Sequence, residues 1–537
     1  MAADFHDRAE RIVDALLESD PEAALWAGDH RFDGRLPNLS QSGVVETVTM
    51  LREAADALDD VDPDTLDPAD AVDHEILTNE VQSRLFTLAD SREQEWDPLM
   101  HNPGHLLDAL LTKAVTPADE RAEAYAQRLE ALPDALVSAR ATLRDVPRIH
   151  AETAAAQFRG VAELVRAQSP ALAALESTLT GRITGAAASA VTALTEFADA
   201  MDAQPDGRDP RLGKERWQAK LWYSLGSMMS AEEVVAHARK RLDEVTEEMA
   251  ELAGSITGLG GREAIVAALD ELAKERPDND TIVPLARQTL EETTAFVAEH
   301  DLVSLVDDPL EIITMPEYAR GVAVAYCDPP GTLETAAVPT YYAISPTPED
   351  WSAERSASFF AEYNNHMLRN LTVHEAMPGH YLQLAHSRRY RGSTRARAVN
   401  YSGTFVEGWA VYAEEFMADA GFGGDAVRMH QLKMQLRMII NALLDHGVHC
   451  EGMAEQEAMD LMTRRGFQAE GEAAGKWRRA LLTSTQLSTY FVGYTEVAAI
   501  GRERPSGMSP RQWHDAMLSF GNPTPKAIRR LLGLDAG

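Results

Sequence analysis

The chain has 537 residues, 50 of them basic and 85 acidic, so its formal charge is −35; 45% are hydrophobic and 25% charged. That balance is globular, and the length exceeds what one hydrophobic core fills, so roughly two to four folding units are expected. A surface this acidic repels phosphate backbones and anionic headgroups, which argues against nucleic-acid and membrane partners.

The chain starts with "MAADFHDRAERIVDALLESD", charged and amphipathic, without the basic start and apolar block of a secretory signal. No run of eighteen apolar residues follows anywhere. Cys327 and Cys450 are the two cysteines, too few for a disulfide framework. Together these features predict a cytoplasmic protein.

Residues 1–310 read as a helical region. "DRAERIVDALLES", "SGVVETVTMLREAADALDDV", "ERAEAYAQRLEALPDALVSARATL", "ASAVTALTEFADAM" and "AEEVVAHARKRLDEVTEEMAELAG" carry apolar residues at three-to-four spacing. Pro- and Asp-rich stretches at 60–70 and 202–211 punctuate them. His101 and His105 in "MHNPGHLLDALL" are four apart but lack an acidic third member, and read as structural. Across 311–350 the texture changes to β-branched and aromatic residues broken by Pro and Gly, predicting a short-strand insert. Such a sheet can offer an edge to an extended peptide, and Tyr341 or Tyr342 is a candidate to line a cleft there. Helices return over 351–537.

"LTVHEAMPGHYLQ", 371–383, opens this last region. Neutral imidazoles bind zinc, a third protein ligand completes the set, and a nearby carboxylate takes a proton from the bound water. Glu375, next to His374, is the natural base. The two histidines, His374 and His380, are six apart. Six residues of regular helix turn the chain by about 600°, leaving the side chains roughly 120° apart. Pro378 removes an N–H and forces a kink or break, and Gly379 relaxes the backbone. A metal site therefore demands a broken helix here; the alternative is a helix end with two unrelated histidines.

"FVEGWAVYAEE" supplies Glu407 as a third ligand, with Glu414 two turns on, on the same face, suited to orient a ligand histidine. Glu415 points elsewhere, to solvent. The Met-rich stretch Met429, Met434 and Met438 reads as core. In "ALLDHGVHCEGMAEQEAMDLM", Asp445 and His449 are four apart and can meet on one helix face. His449 could then steady an oxyanion, or the two could form a plain ion pair with His446 as bystander. In "STQLSTYFVGYTEV", Gln486, Tyr490 and Tyr494 share a face; either tyrosine could donate to an oxyanion, or both could be core.

In order along the chain, "PEAALWAGDHRFDGRLPNLS", "VHEAMPGHYLQ", "FVEGWAVYAEE", "DHGVHCEGMAEQEAM" and "QLSTYFVG" resemble the bacterial DUF885 family, regarded as related to zinc peptidases. The resemblance spans nearly the whole chain. It implies a mainly α, gluzincin-like, bilobed body with a deep central cleft and a small β insert. It implies one zinc ion held by His374, His380 and Glu407, with Glu375 as base and Asp445, His449 and Tyr490 at further matching positions. The arginine expected after Tyr-x-x-Gly is displaced, with Gly501 near its place and Arg502 next.

The reading is a zinc metallopeptidase acting on short peptides. Its competitors are a zinc hydrolase or lyase acting on a non-peptide amide or amino-acid-like metabolite, and a non-catalytic helical binding protein. The ligand set suits zinc best among divalent ions.

Overall fold

The computed structural model describes residues 2–534 apart from 228, 316–319 and 321–323. The chain is mainly helical with one three-stranded sheet. None of the described helices is long and apolar enough to cross a membrane.

Two compact units emerge, and neither is one continuous piece of chain. The first comprises 1–210, 330–338 and 392–400; the second comprises 211–329, 339–391 and 401–537. The change of texture near residue 310 thus marks where strands begin, whereas the units are cut near 210. The helices Ala231–Thr257 and Ile282–Glu299 belong with the strands and the C-terminal helices.

In the first unit the long helices Ala118–Thr142, Arg148–Leu175 and Thr180–Asp202 share a core. Leu129, Leu132 and Leu136 recur at helical spacing on its buried face, and Phe158 stacks on Phe197 at 4.3 Å. His101 bonds the Gln94 carbonyl and His105 stacks on Trp26, so both are structural. The two late segments are anchored by charge. Arg397 and Asp73, both buried, pair at 2.6 Å. His30 bridges Asp33 at 2.9 Å and Glu334 at 2.8 Å.

The second unit holds the sheet. Its strands are β1 (Leu310–Thr314), β2 (Ala325–Asp328) and β3 (Thr340–Ile344), in the order β1-β3-β2. β1 runs parallel to β3 from the pair Leu310 and Thr340, and β2 antiparallel from Ala325 and Ile344. Part of the predicted strand-rich stretch, 316–319 and 321–323, lies outside the described residues. Five helices position the site: α1 (Asn365–Glu375), α2 (His380–Ser387), α3 (Gly403–Asp419), α4 (Gly424–His446) and α5 (Ser488–Arg502). Asn364 caps α1 by accepting from the amides of His366 and Met367, and Ser402 caps α3 through Phe405. Leu368 and Val373 of α1, Phe405 and Trp409 of α3 and Ile500 of α5 meet in one core. Met429 and Met438 of α4 are buried, as core methionines.

α3 and α5 pack backbone to backbone. A Cβ on Gly408 would lie 2.4 Å from the carbonyl carbon of Gly493, and one on Gly493 would lie 2.2 Å from the Thr404 oxygen. Only glycines permit that approach. It sets Glu407, next to Gly408, beside Tyr490, one turn before Gly493.

Candidate metal centre

α1 does not continue into α2. The Ala376 and Met377 amides both reach back to the Thr372 carbonyl, at 3.0 and 3.1 Å, and the Gly379 amide to Val373 at 2.9 Å. Pro378 offers no donor, so the helical ladder ends. A Cβ on Gly379 would sit 1.9 Å from the His374 carbonyl oxygen, so the turn requires glycine. The Trp409 indole of α3 donates to the Pro378 carbonyl at 2.9 Å and holds the turn in place. His380 begins the new helix with its ring 4.6 Å from that of His374, at 84°. The broken helix that the spacing demands is present.

Glu407 stands between the rings. Its Oε2 is 3.6 Å from Nε2 of His374 and 3.6 Å from Nε2 of His380. Among the described residues these three form the one group of His, Cys, Asp or Glu side chains whose ligand atoms lie within 4.8 Å of one another. Two ligands about 2.0 Å from a tetrahedral ion lie roughly 3.3 Å apart, so the two Glu407–imidazole distances of 3.6 Å are close to what such an ion requires. Glu407 Oε2 is buried and has no hydrogen-bond donor. A buried carboxylate oxygen left unpaired is costly, and a shared cation would satisfy it.

The support is in place on one side. His374 Nδ1 donates to Glu414 Oε1 at 2.7 Å, leaving Nε2 free to offer its lone pair. Asn370 donates to the other Glu414 oxygen at 2.6 Å. Burial works against charge on both His374 and Glu407, but attraction between the opposite charges across 3.6 Å, too long for a hydrogen bond, overrides it. The His374 pKa is raised, through Glu407 and then Glu414, and the Glu407 pKa is lowered by the two imidazoles.

Glu375 ends α1, within electrostatic reach of His374 and of Cys327 on β2; the Cys327 thiol pKa is raised by burial and then by Glu375. Tyr490 faces Glu407, whose carboxylate is the largest cause of its raised pKa, ahead of burial. Arg479 and Gln486 hydrogen-bond its hydroxyl. Sequence reasoning misses Tyr401. Its pKa is raised by burial of the hydroxyl, then by Glu407, Cys327 and Glu375, while the residue as a whole is 62% exposed, so its hydroxyl is turned toward the cluster and the rest of it meets solvent. No periodic pattern singles it out; only its place just before the "FVEGW" motif could have.

Asp445 and His449 serve elsewhere. Asp445 accepts from the Trp217 indole at 2.9 Å, the Thr485 amide at 3.1 Å, and the Ser488 amide and hydroxyl at 3.1 and 2.7 Å. His449 Nε2 donates to the Ala480 and Thr483 carbonyls, both at 2.9 Å, and its Nδ1 accepts from the Leu212 amide at 3.3 Å. Both are buried with their hydrogen-bonding capacity spent on scaffold, so the expected pairing and oxyanion role do not form. Tyr494 is buried against Gln435. Tyr342 is buried with its hydroxyl 3.1 Å from Thr372, so it packs against α1 instead of lining a cleft. Glu415 is largely shielded and pairs with Arg502 at 3.4 Å, which corrects the expectation of a solvated acid.

A model of the family described as "Bacterial protein of unknown function (DUF885)" matches residues 21–532. The chain belongs to the DUF885 family. Among curated proteins none matches it. A putative lipoprotein of unknown function from Shewanella oneidensis is 27% identical, covers 99% of this chain and 100% of its own, and has a TM-score of 0.83. A putative lipoprotein from Colwellia psychrerythraea is 14% identical over 99% of each chain with a TM-score of 0.80, which shows a shared fold. The M32 carboxypeptidase from Deinococcus radiodurans R1 aligns at 10% identity over 98% of this chain and 95% of its own, with a TM-score of 0.35, too low to carry an argument.

Two of the similar structures, each covering 99% of this DUF885 chain, are putative lipoproteins, which overturns the expectation of a cytoplasmic protein. The physical reason lies in the first helix, Ala2–Ser19. Phe5, Val13 and Leu16 are buried in it, so its charged, amphipathic pattern records packing and not a cellular address.

Proposed function

We propose that this DUF885 protein is a zinc-dependent hydrolase that cuts peptide bonds in short peptides. The observation that carries the reading is the return of His380 to His374 across the Pro378–Gly379 break, with the unpaired Glu407 oxygen 3.6 Å from both imidazoles. His374, His380 and Glu407 would hold the ion. Bound there, zinc supplies Lewis acidity and brings a water toward deprotonation at neutral pH.

The chain's own groups do the rest. Glu414 and Asn370 fix the His374 ring and its tautomer. Glu375 takes the proton from the attacking water and returns it to the leaving amine. Tyr490, kept protonated by the nearby Glu407 carboxylate, donates to the carbonyl oxygen as charge builds on it. β2 is an edge of the sheet, and its Cys327 lies within reach of Glu375, so an extended peptide laid along that edge passes the base.

Elemental analysis should find one zinc per chain, and Glu407→Ala should lose most of it. Glu375→Ala should keep zinc while peptide hydrolysis falls by about 10²-fold or more. Undiminished hydrolysis in Glu375→Ala removes the base from the mechanism, and a metal-free native protein removes the hydrolase reading. Preference for small non-peptide amides over a peptide panel would reassign the substrate.

A further inference from the structure

Basic side chains run between α4 and the helix Glu470–Leu482, on the Tyr490 side of the candidate centre. Two of the four are paired with acids, and a third is buried with its charge suppressed. Lys433 pairs with Glu362 at 2.7 Å. Arg437 pairs with Glu472 and donates to Tyr363. Lys476, buried, donates to Asn441 at 3.0 Å, and burial beside Arg437 and Arg479 presses its pKa well below that of a free lysine.

Arg479 differs. Its guanidinium donates to Gln486 Oε1 at 2.6 Å and bonds Tyr490, both neutral groups. Among the described residues no carboxylate pairs with it. In a chain of charge −35, full of acids able to take an arginine, this cation is left exposed and oriented by an amide and a phenol. The glycine contact brings α3 and α5 together, and Glu407 on α3 acts on this same phenol on α5. Arg479 is therefore one hydrogen bond beyond the group that faces the metal ligands. A planar guanidinium with free donors is the side chain best shaped to take a carboxylate. Only Tyr490 intervenes between the guanidinium and Glu407, and a residue of extended chain spans about 3.5 Å, so the carboxylate this arginine would take is that of the first or second residue past the scissile bond.

We propose that Arg479, held by Gln486 and Tyr490, binds the C-terminal carboxylate of the peptide, so that the protein removes one or two residues from that end. This rests on the hydrolase reading above. It names the substrate class as short peptides with a free C-terminus. The same guanidinium could take a side-chain carboxylate, and the test separates the two sources.

The test is calorimetric titration of the zinc-loaded, full-length Glu375→Gln protein with an N-acetylated tripeptide as free acid, as its C-terminal amide, and as an amide ending in Glu. The free acid should bind at least tenfold tighter than either amide. Arg479→Gln, exposed and expected to melt at the parent temperature, should reduce that preference to within about twofold, and Arg479→Lys should restore part of it. Equal binding of acid and amide, binding of neither, or a preference that survives Arg479→Gln overturns the proposal. So does a Glu-ended amide that binds as tightly as the free acid. Hydrolysis by the native protein is read separately: an intact acid preference with no peptide cut removes the hydrolase reading and leaves the carboxylate site standing.

Discussion

At the residue scale, the candidate centre depends on a side chain that would not itself touch an ion. Glu414 fixes which nitrogen of His374 is free, and Asn370 fixes Glu414. Glu414→Ala should leave the fold intact and weaken zinc binding about 10- to 100-fold, measured by competition with a chelator. Binding must displace the proton that Glu407 and Glu414 favour on His374, so zinc affinity should fall as pH falls, with proton release on binding. Asp445 is the opposite case. Spacing makes it a catalytic candidate, yet it satisfies four buried donors. Asp445→Ala should cost about 3 kcal/mol or more in stability by denaturant unfolding, and the molecules that remain folded should keep their zinc. Spacing alone cannot separate these cases, because an Asp and a His four apart look the same whether they face each other or face backbone amides.

At the element scale, two glycines carry the geometry. Gly379→Ala places a methyl 1.9 Å from the His374 carbonyl, a backbone atom that cannot swing aside. The turn must open, and zinc binding should drop more than tenfold while the helical circular dichroism signal is kept. Gly493→Ala meets the Thr404 carbonyl at 2.2 Å and should lower the melting temperature while moving Tyr490 away from Glu407. The first of these is legible in the sequence, since Pro-Gly inside a helical stretch forces a break whatever surrounds it. The second is not. A glycine within a helix reads only as weak propensity until a second helix lies against it.

At the scale of the whole molecule, the chain leaves its first compact unit at residue 210 and returns to it twice. His30 ties one return, 330–338, to the N-terminal part through Glu334. Its pKa is raised to about 9, first by Asp33 and then, against burial, by Glu334. A raised histidine pKa contributes stability that is fully present below the unfolded value near 6.5 and is lost as pH rises through about 9. The contribution is on the order of 2 kcal/mol once solvent screening is allowed for. The unfolding midpoint should therefore fall as pH rises from about 6.5 to about 9, and His30→Gln should flatten that decline.

The sequence by itself determined the helical character, the short strands after residue 310, the family, and the residue types gathered around "HEAMPGH". These follow from local periodicity, from the rigid chemistry of Pro and Gly, and from motifs a few residues long. The tertiary structure decided what depends on contacts between distant segments. It turned Asp445 and His449 into scaffold, brought Tyr401 near Glu407 and Arg479 onto Tyr490, and divided the chain into two discontinuous units. The reason is physical: a side chain's role is set by which partners claim its donors and acceptors, and those partners lie on other elements, tens to hundreds of residues away.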